Sequence, residues 1–125
     1  MEKYFLERTH KTPMISADPA GEFTIEGICI PENVQSDFKD FFNWLNEYMK
    51  APANKTIMNV KLDYFNTSTA AILLNIFRTI SALKEKGKDV AINWYYEEDD
   101  MEIEESGHDY ASIISIEFNV IPFTK

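Results

Sequence analysis

The ten residues Leu62 to Ala71, LDYFNTSTAA, join a strand-like run to a long amphipathic helix. Upstream, Lys55 to Phe65 alternates polar and apolar side chains, and Met58, Val60, Leu62 and Tyr64 are the set expected to face the core. Downstream, Ala70, Leu73, Leu74, Phe77, Ile80 and Leu83 recur at helical spacing, with Ile72 and Ile76 widening the stripe. The change of period falls on Asn66, Thr67, Ser68 and Thr69. Each can accept a hydrogen bond from the unpaired N–H groups of a helix start, and one cap suffices. The surplus has two readings. It is a well-capped turn, in which Ser and Thr are common, or one hydroxyl is offered to a partner or a modifying enzyme.

Working outward, the helix ends with Lys84, Lys86 and Lys88 around Gly87, where cations suit the dipole and glycine suits the stop. Asp89 to Tyr96 then reads as a strand through Val90, Ile92 and Trp94. A short helix is expected from about Asp100 to Ile113, interrupted or weakened at Gly107, and Ile116 to Phe123 is the last strand. On the N-terminal side, Val34, Phe38, Phe41, Phe42, Leu45, Tyr48 and Met49 mark a helix that begins after Pro31-Glu32-Asn33. Its aromatic residues, Trp44 included, read as core in preference to a ligand-stacking surface. Before it, Glu22 to Ile30 is a strand with Phe23 and Ile25 on the apolar face, joined there by Ile28 and Ile30. Tyr4 to Glu7 and Pro13 to Ala17 are two short strands, with a turn at Asp18-Pro19-Ala20-Gly21. Strands alternating with helices predict an α/β fold, a single domain over residues 1–125 with a mixed sheet and crossover helices. Residues 1–12 are the part whose role the pattern leaves open.

At 125 residues and 45% hydrophobic content, the chain can bury a core without metals or disulfides. A net charge of -9 argues against nucleic acid, whose phosphates require Lys and Arg, and against an anionic membrane surface. No apolar run approaches a membrane span and no signal-peptide core is visible, so the expected residence is cytoplasmic. A single cysteine, Cys29, excludes an internal disulfide and multi-cysteine zinc patterns.

A catalytic set is hard to assemble. His10 and His108 are the only histidines and both read as surface residues. There is no Gly-x-Ser-x-Gly elbow, no phosphate loop and no dinucleotide fingerprint. Cys29 lies in an apolar strand and reads as core. No catalytic residue, cofactor or metal ligand is therefore assigned, and a binding or switch protein is expected in place of an enzyme. The alternative is a small-ligand or divalent-cation domain using the acidic 97–109 segment, where eight of the 21 acids occur without a Lys or Arg. The calcium-loop spacing is missing there, and a solvated loop leading into a helix N-terminus accounts for the acids. A phosphoryl group at the first turn of the helix beginning at Thr67 or Ser68 would meet free N–H groups and the positive end of the dipole, while changing sharply what an acidic surface attracts.

The segments IEGICIPENVQSDFKDFFNWL, LDYFNTSTAAILLNIF, ALKEKGKDVAINWYYEEDDMEIEESGHDY and IEFNVIPF resemble the SiaC family of bacterial regulatory phosphoproteins, from about Pro13 onward. The most specific parts are the Asn66-Thr67-Ser68 turn, Pro31-Glu32-Asn33 and the Trp94-Tyr95-Tyr96 strand end. The family is similar in fold to STAS-type anti-sigma factor antagonists. The resemblance implies partner switching. A cognate Ser/Thr protein kinase phosphorylates Thr67, with Ser68 and Thr69 as adjacent candidates, and a PP2C-like phosphatase reverses it. Tyr64, Phe65, Asn66 and Ser68 surround the switch as partner contacts. The unphosphorylated form binds an effector such as a diguanylate cyclase, promoting cyclic-di-GMP synthesis and biofilm formation.

Overall fold

A computed structural model describes residues 1–124. Two short strands, β1 (Tyr4–Leu6) and β2 (Met14–Asp18), precede β3 (Glu22–Cys29). Three helix-and-strand units come next: α1 (Val34–Lys50) and β4 (Lys55–Phe65), α2 (Thr67–Ser81) and β5 (Asp89–Glu97), then α3 (Met101–Ile113) and β6 (Glu117–Phe123). A 3-10 turn over Ala82–Lys86 extends α2 and closes on Gly87 in the left-handed region.

The six strands lie in the sheet in chain order, β1 to β6. β1, β2 and β3 pair antiparallel, and β3, β4, β5 and β6 pair parallel. Each crossover moves one strand in the same direction. Right-handed connections then put α1, α2 and α3 on one face of the sheet. Burial obeys this parity: Phe23, Ile25, Cys29, Met58, Val60, Leu62, Ile92 and Trp94 are buried under the helices. Thr24, Glu26, Asn59, Lys61 and Asn93 on the opposite face are only partly covered. That face satisfies its own polar groups, with Asn93 donating to Asn59 and Asn119 donating to Asn93, both at 3.0 Å.

Helix α1 is capped by Asn33, whose Oδ1 accepts from the Ser36 N–H at 3.1 Å, and it buries Phe38, Phe41, Leu45 and Tyr48. Phe42 and Trp44 sit at the edge of this core, with Trp44 stacked on Tyr48. Helix α2 buries Thr69, Ile72, Leu73, Ile76, Phe77 and Ile80, so the stripe is centred on the two isoleucines that the spacing alone puts at its margin. Ala70 and Leu74 are half-buried.

Three expectations are corrected. On β3 the buried positions after Ile25 are Gly27 and Cys29, while Ile28 and Ile30 are half-buried. Strict alternation from Ile25 governs, whatever the hydrophobicity of the residues. On β4, Tyr64 is 54% exposed instead of buried. The register runs from Glu22 opposite Ile57 to Gly27 opposite Leu62, then resumes with Ile28 opposite Tyr64 and Cys29 opposite Phe65. Asp63 is thus an extra residue, and a one-residue bulge exchanges the faces of the side chains beyond it. Tyr64 turns out and Phe65 turns in, edge-on to Trp94 at 5.8 Å. Finally, α3 runs unbroken through Gly107. A Cβ at Gly107 would collide with Cδ1 of Trp94, so this glycine is where the helix lies directly on the indole. The indole N–H donates to the Ile103 carbonyl at 2.9 Å.

Candidate functional site

The junction between β4 and α2 sorts its four polar residues into different tasks. Asn66 is extended, with φ -93° and ψ 175°, and is the cap. Its N–H donates to the Cys29 carbonyl at 3.2 Å, which ties the turn to the end of β3. Its Oδ1 accepts from the Thr69 N–H at 3.0 Å, from the Ser68 hydroxyl at 3.0 Å and lies 2.8 Å from the Thr69 hydroxyl. One side-chain oxygen thus organises the first turn of the helix.

Thr69 is fully buried. Its single hydroxyl proton is shared between Asn66 Oδ1 and the Cys29 carbonyl 3.1 Å away, and its oxygen lies 3.3 Å from the Cys29 sulfur. Burial pushes the Cys29 thiol up from its ordinary pKa, against the lowering effect of that contact with Thr69. Cys29 therefore remains a thiol at neutral pH. Ser68 is exposed but engaged with Asn66. Thr67, the first residue of α2, is exposed, and its hydroxyl makes no hydrogen bond among the described residues.

Thr67 stands at the edge of a cleft of about 200 Å³ lined by Tyr64, Phe65, Asn66 and Ala70 on one side and by Glu102, Ile103 and Ser106 of α3 on the other. The two walls are held together by Tyr110, whose hydroxyl donates to the Ala70 carbonyl at 2.8 Å. Burial pushes the Tyr110 pKa up to about 12. Two large apolar side chains stand free at this end, Tyr64 and the 76% exposed Met101. Of the residues expected to surround the switch, Tyr64 and Ser68 present surface, whereas Phe65 packs inward and Asn66 is consumed by the cap.

The acidic segment is occupied with structure. Asp100 caps α3 through Oδ1, which accepts from the Ile103 N–H at 3.0 Å, and Glu102 and Glu104 lie in the first turn. Glu104 also accepts from the Tyr96 hydroxyl and lies 3.3 Å from His108 Nε2. Among the described residues, no three His, Cys, Asp or Glu side chains converge as a metal set. His10 and His108 are both exposed. No helix among the described residues is long and apolar enough to cross a membrane.

The wall contributed by α3 is not visible from sequence, because Glu102, Ser106 and Tyr110 reach the turn only through the β5–α3 crossover. Gly107, spaced three before Tyr110 and four after Ile103, is the available signal that this helix packs closely.

Known proteins are similar to this chain in sequence and fold. The sequence profile described as SiaC family regulatory phosphoprotein matches residues 6–123. An uncharacterized protein of Pseudomonas aeruginosa (strain UCBPP-PA14) is 22% identical over 121 residues, covering 96% of both chains. The crystal structure of apo-SiaC from Pseudomonas aeruginosa superposes with a TM-score of 0.87 at 23% identity, covering 97% of this chain and 99% of that one. SiaC in the crystal structure of the diguanylate cyclase SiaD with its activator SiaC, also from Pseudomonas aeruginosa, gives 0.88 at 22% identity, covering 96% and 99%. At these identities the structural likeness is one of fold.

Proposed function

Since the chain belongs to the SiaC family of regulatory phosphoproteins, a regulatory and not a catalytic family, we propose that it is the switch of a partner-switching module, phosphorylated at Thr67. The observation that carries this reading is the division of labour in the turn. Ser68 and Thr69 are bonded to Asn66, and only Thr67 offers an exposed hydroxyl with no competing bond. A kinase needs that access, and the helix start beneath Thr67 has backbone N–H groups suited to the added charge.

A cognate Ser/Thr kinase adds the phosphoryl group and a PP2C-like phosphatase removes it, in the cytoplasm and without catalysis by this chain. The unmodified form binds an effector. A diguanylate cyclase is the effector class to expect, because the structurally similar SiaC is the activator of one. Exposed Tyr64 suits a contact with a partner, since a half-free aromatic ring gains most from being covered. A dianion beside it must keep its hydration or find a cation, so a partner that seats on the unmodified rim loses its fit. Peptide mass spectrometry of the protein after incubation with its kinase and ATP tests the site. Phosphate should be on the peptide carrying Thr67 and absent from the Thr67→Ala protein; phosphate on Ser68 alone would overturn the assignment.

A further inference from the structure

A doubly charged group on Thr67 would enter unfavourable surroundings. The protein carries a net charge of -9, Glu102 lines the same cleft, and the first turn of α2 holds no charged residue. Backbone N–H groups supply only partial charge. A full cation to pair with it can come only from elsewhere, and the fold brings some from the segment whose role the sequence left open.

Leu6 pairs with Ile15, and Met14 with Glu26, so the loop between β1 and β2 turns at the end of the sheet where β3 and β4 finish. That loop carries Arg8, His10 and Lys11. It is bound to one side of the end of β3, where the Ile30 N–H donates to the Lys11 carbonyl at 2.8 Å. The switch turn is bound to the other side, where the Asn66 N–H donates to the Cys29 carbonyl. Loop and turn are therefore separated by two strand spacings, about 10 Å.

Arg8 already crosses that interval. Its guanidinium lies against Gly27 of β3, where an added Cβ would sit 3.1 Å from Cζ, and its Nη2 stands 3.9 Å from Oδ2 of Asp63 on β4. Gly27 has a φ of 123°, a conformation that favours glycine, and the missing side chain leaves the passage open. Asp63 is the bulge residue four positions before Thr67. The Arg8–Asp63 contact is too long for a hydrogen bond, and both side chains are about half exposed, so it holds the guanidinium weakly. The other cations near this end are differently placed: Lys11 is bonded to Glu32 at 3.0 Å, and Lys61 lies between Glu26 and the ring of Phe123.

We propose that Arg8 is the internal receptor of the switch, leaving Asp63 to pair with the phosphoryl group on Thr67. This rests on Thr67 being the phosphoacceptor. A guanidinium fork suits a phosphoryl group, which offers three acceptor oxygens and up to two charges where Asp63 offers a single, longer contact. The N-terminal loop then becomes part of the switch, and the phosphorylated protein differs from the unmodified one across both sides of β3.

The test uses full-length protein with phosphothreonine installed at position 67 during synthesis, so that no kinase is involved, and tracks the second ionisation of the phosphoryl group by 31P NMR against pH. An unpaired phosphothreonine titrates near pH 6. Pairing with Arg8 lowers the midpoint, and Arg8→Gln should raise it by about half a unit or more, with Arg8→Lys restoring part of the difference. Lys61→Gln should move it less. Equal midpoints for the parent protein and Arg8→Gln would overturn the proposal, as would equal shifts in Arg8→Gln and Lys61→Gln, which would mark a diffuse field instead of a pair. Failure of a kinase to modify Thr67 would count against the proposed function and leave this titration readable.

Discussion

At the scale of single residues, the turn separates hydroxyls that hold the fold from one that is free. Asn66→Ala removes the acceptor of three contacts and should cost about 1–2 kcal/mol. Thr67→Ala removes no hydrogen bond and should change stability by less than about 0.5 kcal/mol. Urea unfolding of both proteins checks this, and the two values should differ clearly. The presence of a surplus of polar residues at this turn is legible in the sequence, since Asn66, Thr67, Ser68 and Thr69 stand together where the period changes. Which of them is spoken for is not legible. The partner that buries Thr69 is Cys29, 40 positions away on a neighbouring strand, and no local pattern carries that information.

At the scale of elements, the strand and helix order comes from periodicity, and the exceptions share one cause. Periodicity assumes an uninterrupted register. The bulge at Asp63 turns Tyr64 from core to surface, although nothing in LDYF distinguishes it from a regular strand end. Gly107 reads as a weak point in α3 because glycine lowers helix propensity, yet here it is required by the Trp94 ring. Gly107→Ala should therefore destabilise the protein by about 1–3 kcal/mol, despite being a favourable change for an isolated helix, and should perturb the fluorescence of Trp94. The contact between α3 and the first turn of α2 is also testable. Tyr110 is raised to about 12 in the folded protein, above its ordinary value of about 10. Its contribution to stability is full below about pH 10 and lost as pH rises through about 12. The parent protein should lose more stability than Tyr110→Phe between about pH 9 and about pH 11.5, measured by denaturant unfolding.

At the scale of the whole molecule, the one-sided sheet places every crossover helix start, and with them the Thr67 turn, at the ends where the parallel strands finish, as open parallel sheets commonly do for their sites. The acids from Glu97 to Glu105 gather at this end. Lys55, Lys84 and Lys88 line a 390 Å³ hollow at the other, beside the starts of β4, β5 and β6. A partner approaching Thr67 thus meets an acidic rim with an exposed tyrosine, and under the proposed function a phosphoryl group there would alter that rim at its centre. The most direct measurement is the affinity of a diguanylate cyclase for the unmodified protein and for the protein phosphorylated at Thr67, by calorimetric titration. A partner switch at Thr67 predicts saturable binding of the unmodified form and at least a tenfold loss, about 1.4 kcal/mol, on phosphorylation. Equal affinity for the two forms would contradict it.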